Sequence, residues 1–226
     1  MKKVNFDEYA NNYNKILQEQ HKLFGNIEYY GEYKIKIMRK ILQYQEYINI
    51  LEYGCGTGRN LKYLKKYFPA SNLYAIDISK ESMNIAKREN PFTKILTIDE
   101  FNKMSDFFDL IFIAGVFHHI EPSSREEVVK NLQFVLRYSG KIVVFEHNPY
   151  NFLTRKMVRE CEFDQDAILL TKKELIKLFK ILGFKPIYSR YCLFFPPRLK
   201  FLSFLENFLG WLPLGGQYFV VFKKSW

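Results

Sequence analysis

Cysteine is scarce in this sequence, with three among 226 residues, at Cys55, Cys161 and Cys192. An odd, widely spaced set excludes a disulfide framework and a paired-cysteine zinc site, and a reducing, cytoplasmic setting is expected. No uncharged apolar run reaches the roughly 18–20 residues of a membrane-spanning helix. The opening MKKVNFDEYANNYN carries two lysines with no apolar stretch behind them, so no signal peptide is expected. Internal repeats and low-complexity linkers are lacking too. Acid is in deficit, 24 Asp and Glu against 34 Lys and Arg, for a net charge of +10. That balance favours anionic partners, but the lysines are scattered and a solvated basic surface accounts for them. With no basic stripe and no appended binding domain, nucleic acid is not an expected partner.

What is present suffices for one α/β domain over residues 1–226, with 48% hydrophobic content. A polar and aromatic helical cover (1–46) precedes a core (47–146) in which short apolar runs alternate with helical periodicity. Strands are expected at 48–52, 72–76, 94–98, 108–113 and 141–145, and two more at about 184–192 and 217–223. A helix over 123–137 aligns Val128, Leu132, Val135 and Leu136, with Ser139-Gly140 as a left-handed stop. Another over 171–182 aligns Leu175, Leu178, Phe179 and Leu182 and ends at Gly183. Such alternation predicts a parallel sheet covered by helices on both faces.

The most informative segment is ILEYGCGTGRN, Ile50 to Asn60, where a strand ends and a helix opens. Gly54, Gly56 and Gly58 permit positive φ and let the backbone of Cys55 and Thr57 approach a ligand closely. A dinucleotide fingerprint would place glycine or alanine where Arg59 stands. Glu52 lies two residues before Gly54, where a carboxylate repels a pyrophosphate but suits a ligand bearing an ammonium and a sulfonium. Asp77 ends the second strand, 23 residues beyond Gly54, the position from which an acid accepts hydrogen bonds from ribose hydroxyls. A nucleoside with a positively charged tail is S-adenosylmethionine.

E-x-G-x-G-x-G, the acidic strand end in LYAIDIS and the run FDLIFIAGVFHHI together resemble the class I S-adenosylmethionine-dependent methyltransferase family over about residues 45–146. The resemblance implies a Rossmann-like seven-stranded sheet of order 3-2-1-4-5-7-6 with strand 7 antiparallel. It implies that Glu52 and the loop Gly54, Cys55, Gly56, Thr57 and Gly58 hold the methionine portion, Asp77 the ribose, and Ile78 the adenine face. Asp99, or its neighbour Glu100, would meet the adenine amine, and Ala114 would line the methionine side. Tyr9 and Tyr13 resemble helix residues that close over the cofactor, with plain packing an equal alternative.

Methyl transfer is an in-line displacement at a carbon the sulfonium has already activated, so the protein mainly orients the acceptor. An oxygen acceptor also needs a base, and His118, His119 and His147 follow strands 4 and 5 at the crevice. One of the adjacent pair His118 and His119 is expected to point elsewhere. Glu146 is placed to orient an imidazole or to bind a divalent metal, and His21 to be exposed. No converging set of carboxylates is legible, so no metal is expected. Asn148-Pro149-Tyr150 sits on the wrong strand for the Asn-Pro-Pro-aromatic element of amide or base methylation.

Two insertions face the substrate. Residues 147–170 more loosely resemble members found with bacterial cell-surface polysaccharide genes, which implies a sugar, glycan or lipid-linked precursor as acceptor. Arg155 and Arg159 would meet an acidic group on it or pair with Glu160, Glu162 or Asp164. Residues 194–216 carry Phe201, Phe204, Leu205 and Phe208 at helical spacing, a lid, core or dimer surface, or a helix lying on the inner face of a membrane. A quinone-type carbon methyltransferase and a non-catalytic cofactor-binding module are the other readings. Nothing in the sequence sets the oligomeric state.

Overall fold

A computed structural model of the chain describes residues 4–20, 27–43 and 45–225; His21 lies outside them. Seven strands form one sheet in the order β3-β2-β1-β4-β5-β7-β6. They are β1 (Asn49–Tyr53), β2 (Asn72–Ile76), β3 (Thr93–Ile95), β4 (Phe108–Ala114), β5 (Leu136–His147), β6 (Phe184–Cys192) and β7 (Gln217–Lys224). The first five run parallel and β7 pairs antiparallel with both β5 and β6. This is the order the family resemblance implies.

Parallel strands covered on both faces read as unbroken apolar runs, and β1 and β4 bury nearly every side chain. On β5 the pleat sends Ile142 and Val144 to one core and Val143 and Phe145 to the other. The first core packs beneath α6 (Ile98–Asn102), α7 (Arg125–Val135) and α9 (Lys172–Ile181), with Phe179 stacked on Phe222 at 4.1 Å. The second lies under α3 (Ile27–Ile41), α4 (Leu61–Tyr67) and α5 (Lys80–Glu89). Two short helices, α1 (Phe6–Tyr9) and α2 (Tyr13–Gln20), precede α3. None of the described helices is long and apolar enough to cross a membrane.

Local expectations shift in five places. The third strand stops at Ile95, because Thr97 and Glu100 form a capping box that starts α6 where strand was expected. Helix α7 ends at Val135, and Leu136 already belongs to β5. Ser139, with φ of 62°, takes its left-handed turn inside the irregular start of that strand rather than at a helix end. The connection 147–170 is not a bare loop: Asn151 caps α8 (Phe152–Glu160), and a 3-10 turn spans Glu162–Asp164. Residues 194–216 form a kinked 3-10 segment, Pro197–Leu205, and a one-turn α10 (Glu206–Leu209), not one amphipathic helix. Their aromatic faces stay outside: Phe201, Phe204, Phe208 and Trp211 are 59–72% exposed.

Candidate active site

The glycine loop leaves β1 and opens α4, and its three glycines all adopt positive φ, 74°, 51° and 81° for Gly54, Gly56 and Gly58. They serve different ends. A Cβ on Gly54 would stand 2.4 Å from Val116, and one on Gly58 2.6 Å from Asn90, so these two allow close packing. A Cβ on Gly56 would meet nothing within 4 Å, so this residue bares the backbone to open space. Asp77 fixes the loop. One carboxylate oxygen accepts the Gly56 N–H at 2.7 Å and the other the Ser79 N–H at 3.0 Å.

Glu52 is 1% exposed. Its Oε1 accepts a 2.7 Å hydrogen bond from Asn60, while its buried Oε2 has no hydrogen-bond partner among the described residues. A buried carboxylate oxygen without a donor is costly unless a ligand supplies one. Burial raises its pKa to about 8, although Asn60, Arg59 and Lys34 pull the other way. Burial and the Arg59 charge likewise lower Lys34 to about 8. An orphaned carboxylate oxygen beside a glycine that opens onto space suits a ligand with a cationic amine. S-adenosylmethionine meets that requirement.

The other expected cofactor residues surround this loop. Ile78 is 76% exposed, an apolar face uncovered beside Asp77. Asp99 is exposed on the first turn of α6, whereas Glu100 is engaged by its capping box and by Lys94. Ala114 ends β4 and lines the adjoining cavity. Asp7 accepts hydrogen bonds from Ser79 Oγ and Glu81 N, which ties α1 to the start of α5 next to Asp77. Tyr13 packs on Phe163 at 4.7 Å with the Arg59 guanidinium over its ring, so the N-terminal helices do reach the crevice.

Beyond the carboxyl ends of β4 and β5 lies a cavity of about 250 Å³. His118, His119 and His147 all line it, together with Asp164. Both members of the adjacent pair face the same space, contrary to expectation. They sit in a 3-10 turn, Phe117–His119, where neighbouring side chains do not alternate sides as in a strand. Their ring centroids are 4.1 Å apart, and His118 and His147 are 4.9 Å apart.

Two carboxylates organise the imidazoles. Glu146, fully buried, accepts the Val116 and Phe117 N–H groups on one oxygen and meets His118 Nδ1 at 2.7 Å on the other. Asp164 Oδ1 lies 3.3 Å from His119 Nε2 and 3.8 Å from His118 Nε2. Burial would depress His118, but Glu146 and Asp164 outweigh it and raise it to about 10. Burial is opposed in the same way by His118 at Glu146, which falls to about 2, and by the histidines at Asp164, held well below the carboxylate range. Burial and the His118 charge push His147 down to about 4. The far wall is apolar, formed by Leu153, Leu193, Phe194, Phe195 and Pro196.

Sequence reasoning missed Asp164 as a site residue. It lies 17 residues beyond His147 with no local pattern, and enters only because α8 turns the chain back. Arg155 and Arg159 are exposed on α8, and Asp164 serves the histidines.

Residues 50–140 match the family model described as a methyltransferase domain. An uncharacterized methyltransferase of Alkaliphilus oremlandii is 28% identical over 170 residues, 73% of this chain and 76% of that protein. Malonyl-[acyl-carrier protein] O-methyltransferase 2 of Ilyobacter polytropus is 30% identical over 152 residues, 62% of this chain and 57% of that protein. A solved SAM-dependent methyltransferase of Thermotoga maritima aligns with a TM-score of 0.69 over 97% of this chain and 98% of its own, a likeness of fold at 19% identity. The family match, the sheet order and the orphaned carboxylate above the glycine loop agree: this chain is an S-adenosylmethionine-dependent methyltransferase.

Proposed function

We propose that the chain O-methylates a hydroxylated small molecule, a sugar, glycan or lipid-linked precursor, bound in the cavity beyond β4 and β5. The observation that carries this reading is the shared boundary of the two halves: Ala114, the last residue of β4, and Gly115 just after it lie next to the glycine loop and line the cavity that holds three histidines. Glu52 would take the methionine ammonium, the Gly54–Gly58 backbone the rest of that arm, and Asp77 the ribose hydroxyls. Ile78 would cover the adenine and Asp99 meet its amine. The bound cofactor supplies the electrophilic methyl group. One of His118, His119 and His147 would act as base or hold the acceptor oxygen, and the Leu193–Pro196 wall would carry its apolar part.

Isothermal titration with S-adenosylhomocysteine tests the cofactor half, with binding expected at one site per chain. Preference for NAD would overturn it. Transfer of a labelled methyl group to hydroxylated glycans or lipid-linked sugars tests the acceptor half. Methyl transfer to a ring carbon of a quinone precursor, which the apolar wall also suits, would overturn the O-methylation reading. Exclusive transfer to malonyl-[acyl-carrier protein], the acceptor in the name of the Ilyobacter relative, would keep O-methylation but overturn the hydroxylated acceptor.

A further inference from the structure

No converging set of carboxylates is legible in the sequence, yet the fold gathers a mixed ligand set for a metal. His118, His147 and Asp164 each offer one donor atom, and the three atoms lie within 4.8 Å of one another. They come from three separate segments, the 3-10 turn after β4, the end of β5 and the 3-10 turn after α8. We propose that His118, His147 and Asp164 bind a divalent first-row transition cation, with Glu146 as the outer carboxylate that orients His118.

Three features support this beyond proximity. First, Glu146 meets His118 Nδ1 at 2.7 Å, which turns Nε2 toward Asp164. A carboxylate behind a ligating imidazole fixes its tautomer and ring orientation, the usual arrangement around protein-bound metals. Glu146 is itself pinned by two backbone N–H groups, so the His118 ring has little freedom. Second, neither ring nitrogen of His147 is hydrogen-bonded among the described residues, so a donor is available on that side of the cavity. Third, the three side chains line a cavity of about 250 Å³, which leaves space on the open side for water or an acceptor oxygen.

Two imidazoles and one carboxylate favour manganese, iron, cobalt or zinc over magnesium or calcium, which prefer all-oxygen sets. Donors bound about 2.0–2.2 Å from a common ion lie roughly 3–3.5 Å apart. The set must therefore contract by about 1 Å, with Asp164 turning from His119 toward the ion. A cation there would keep its remaining positions for water or another oxygen donor in the cavity. This inference concerns the cofactor-free protein and stands apart from the methyl-transfer reading.

Chelator-treated, dialysed protein titrated with Co²⁺ should bind one ion per chain and develop the visible d–d absorption of a bound ion. Titration with Mn²⁺, followed by electron paramagnetic resonance of the free ion, should give the same stoichiometry. His147→Ala and Asp164→Asn should each abolish the absorption, and Glu146→Gln should weaken binding about 10–100-fold. Unchanged binding of S-adenosylhomocysteine by His147→Ala shows that this half-buried change leaves the domain folded. No stoichiometric binding by the wild type, or equal binding by the wild type and by folded His147→Ala and Asp164→Asn, overturns the proposal. Failure of S-adenosylhomocysteine to bind the wild type would leave the metal result standing and sink the cofactor reading alone.

Discussion

The proposed cofactor end of the crevice is a backbone device, whereas the proposed acceptor end is assembled from side chains delivered by four separate segments. At the first, three glycines within five residues shape the loop, Asp77 pins it through the Gly56 N–H, and Glu52 leaves an oxygen for the ligand. At the second, the turn at 117–119, the end of β5, the turn at 162–164 and the strip 193–196 meet around one cavity. Such a division means that damage to either half should register in a different measurement.

The largest effect should separate the halves most sharply. Replacing His118, His119 or His147 with Ala should lower kcat on a hydroxylated acceptor, by roughly 10²–10⁴ for the residue that acts as the base. S-adenosylhomocysteine affinity should stay within about twofold, because none of the three touches the glycine loop. If all three variants keep wild-type turnover, proximity alone drives the reaction.

The reverse pattern is expected on the cofactor side. Asp77→Ala removes the acceptor of the Gly56 N–H as well as the proposed ribose contact, and should weaken S-adenosylhomocysteine binding at least about 100-fold, roughly 2.7 kcal/mol. Gly56→Val should weaken it less: its side chain would enter open space rather than protein, but φ of 51° disfavours a β-branched residue. Titration calorimetry with parallel melting curves separates lost contact from lost fold.

A smaller effect follows from Glu52. Burial holds its folded-state pKa near 8, well above the ordinary carboxylate value. The free folded protein thus binds this proton more tightly than the unfolded chain, so its stability falls as pH rises from the carboxylate range through about 8. A cationic amine at Oε2 favours the ionised form, so binding releases a proton below that pH. S-adenosylhomocysteine affinity should therefore rise about fivefold between pH 7 and 8, and Glu52→Gln should flatten the profile. A flat wild-type profile would place the amine away from Glu52.

The smallest expected effect concerns the outer aromatics. Phe204 and Phe208 are 59% and 71% exposed, so Phe204→Glu/Phe208→Glu should change unfolding free energy by no more than about 0.5 kcal/mol. Urea unfolding checks this, and a loss above about 2 kcal/mol would show that they pack on the domain. Flotation with anionic vesicles at low salt, lost in the double variant, would favour a lipid-linked acceptor.

Taken alone, the sequence determined the class of sheet, the position of five of the seven strands to within a residue or two, and the glycine loop with its two carboxylates. These are local or periodic signals: positive φ needs glycine, a doubly covered strand needs an apolar run, and a helix needs a cap. Even there, competition between neighbours decided details, as when Thr97 and Glu100 capped α6 and shortened β3. Only the tertiary structure decided the acceptor end. Whether His118 and His119 share a cavity depends on a 3-10 turn that no periodicity announces. Asp164 joins them across 45 residues because α8 folds the chain back over the strand ends. Likewise, the helical spacing of Phe201, Phe204 and Phe208 promised a packed stripe, but Pro197 and the kink at Leu199 left their rings in solvent. Side-chain networks of this kind are set by burial and by which distant groups remain to be satisfied, and a linear pattern does not carry that information.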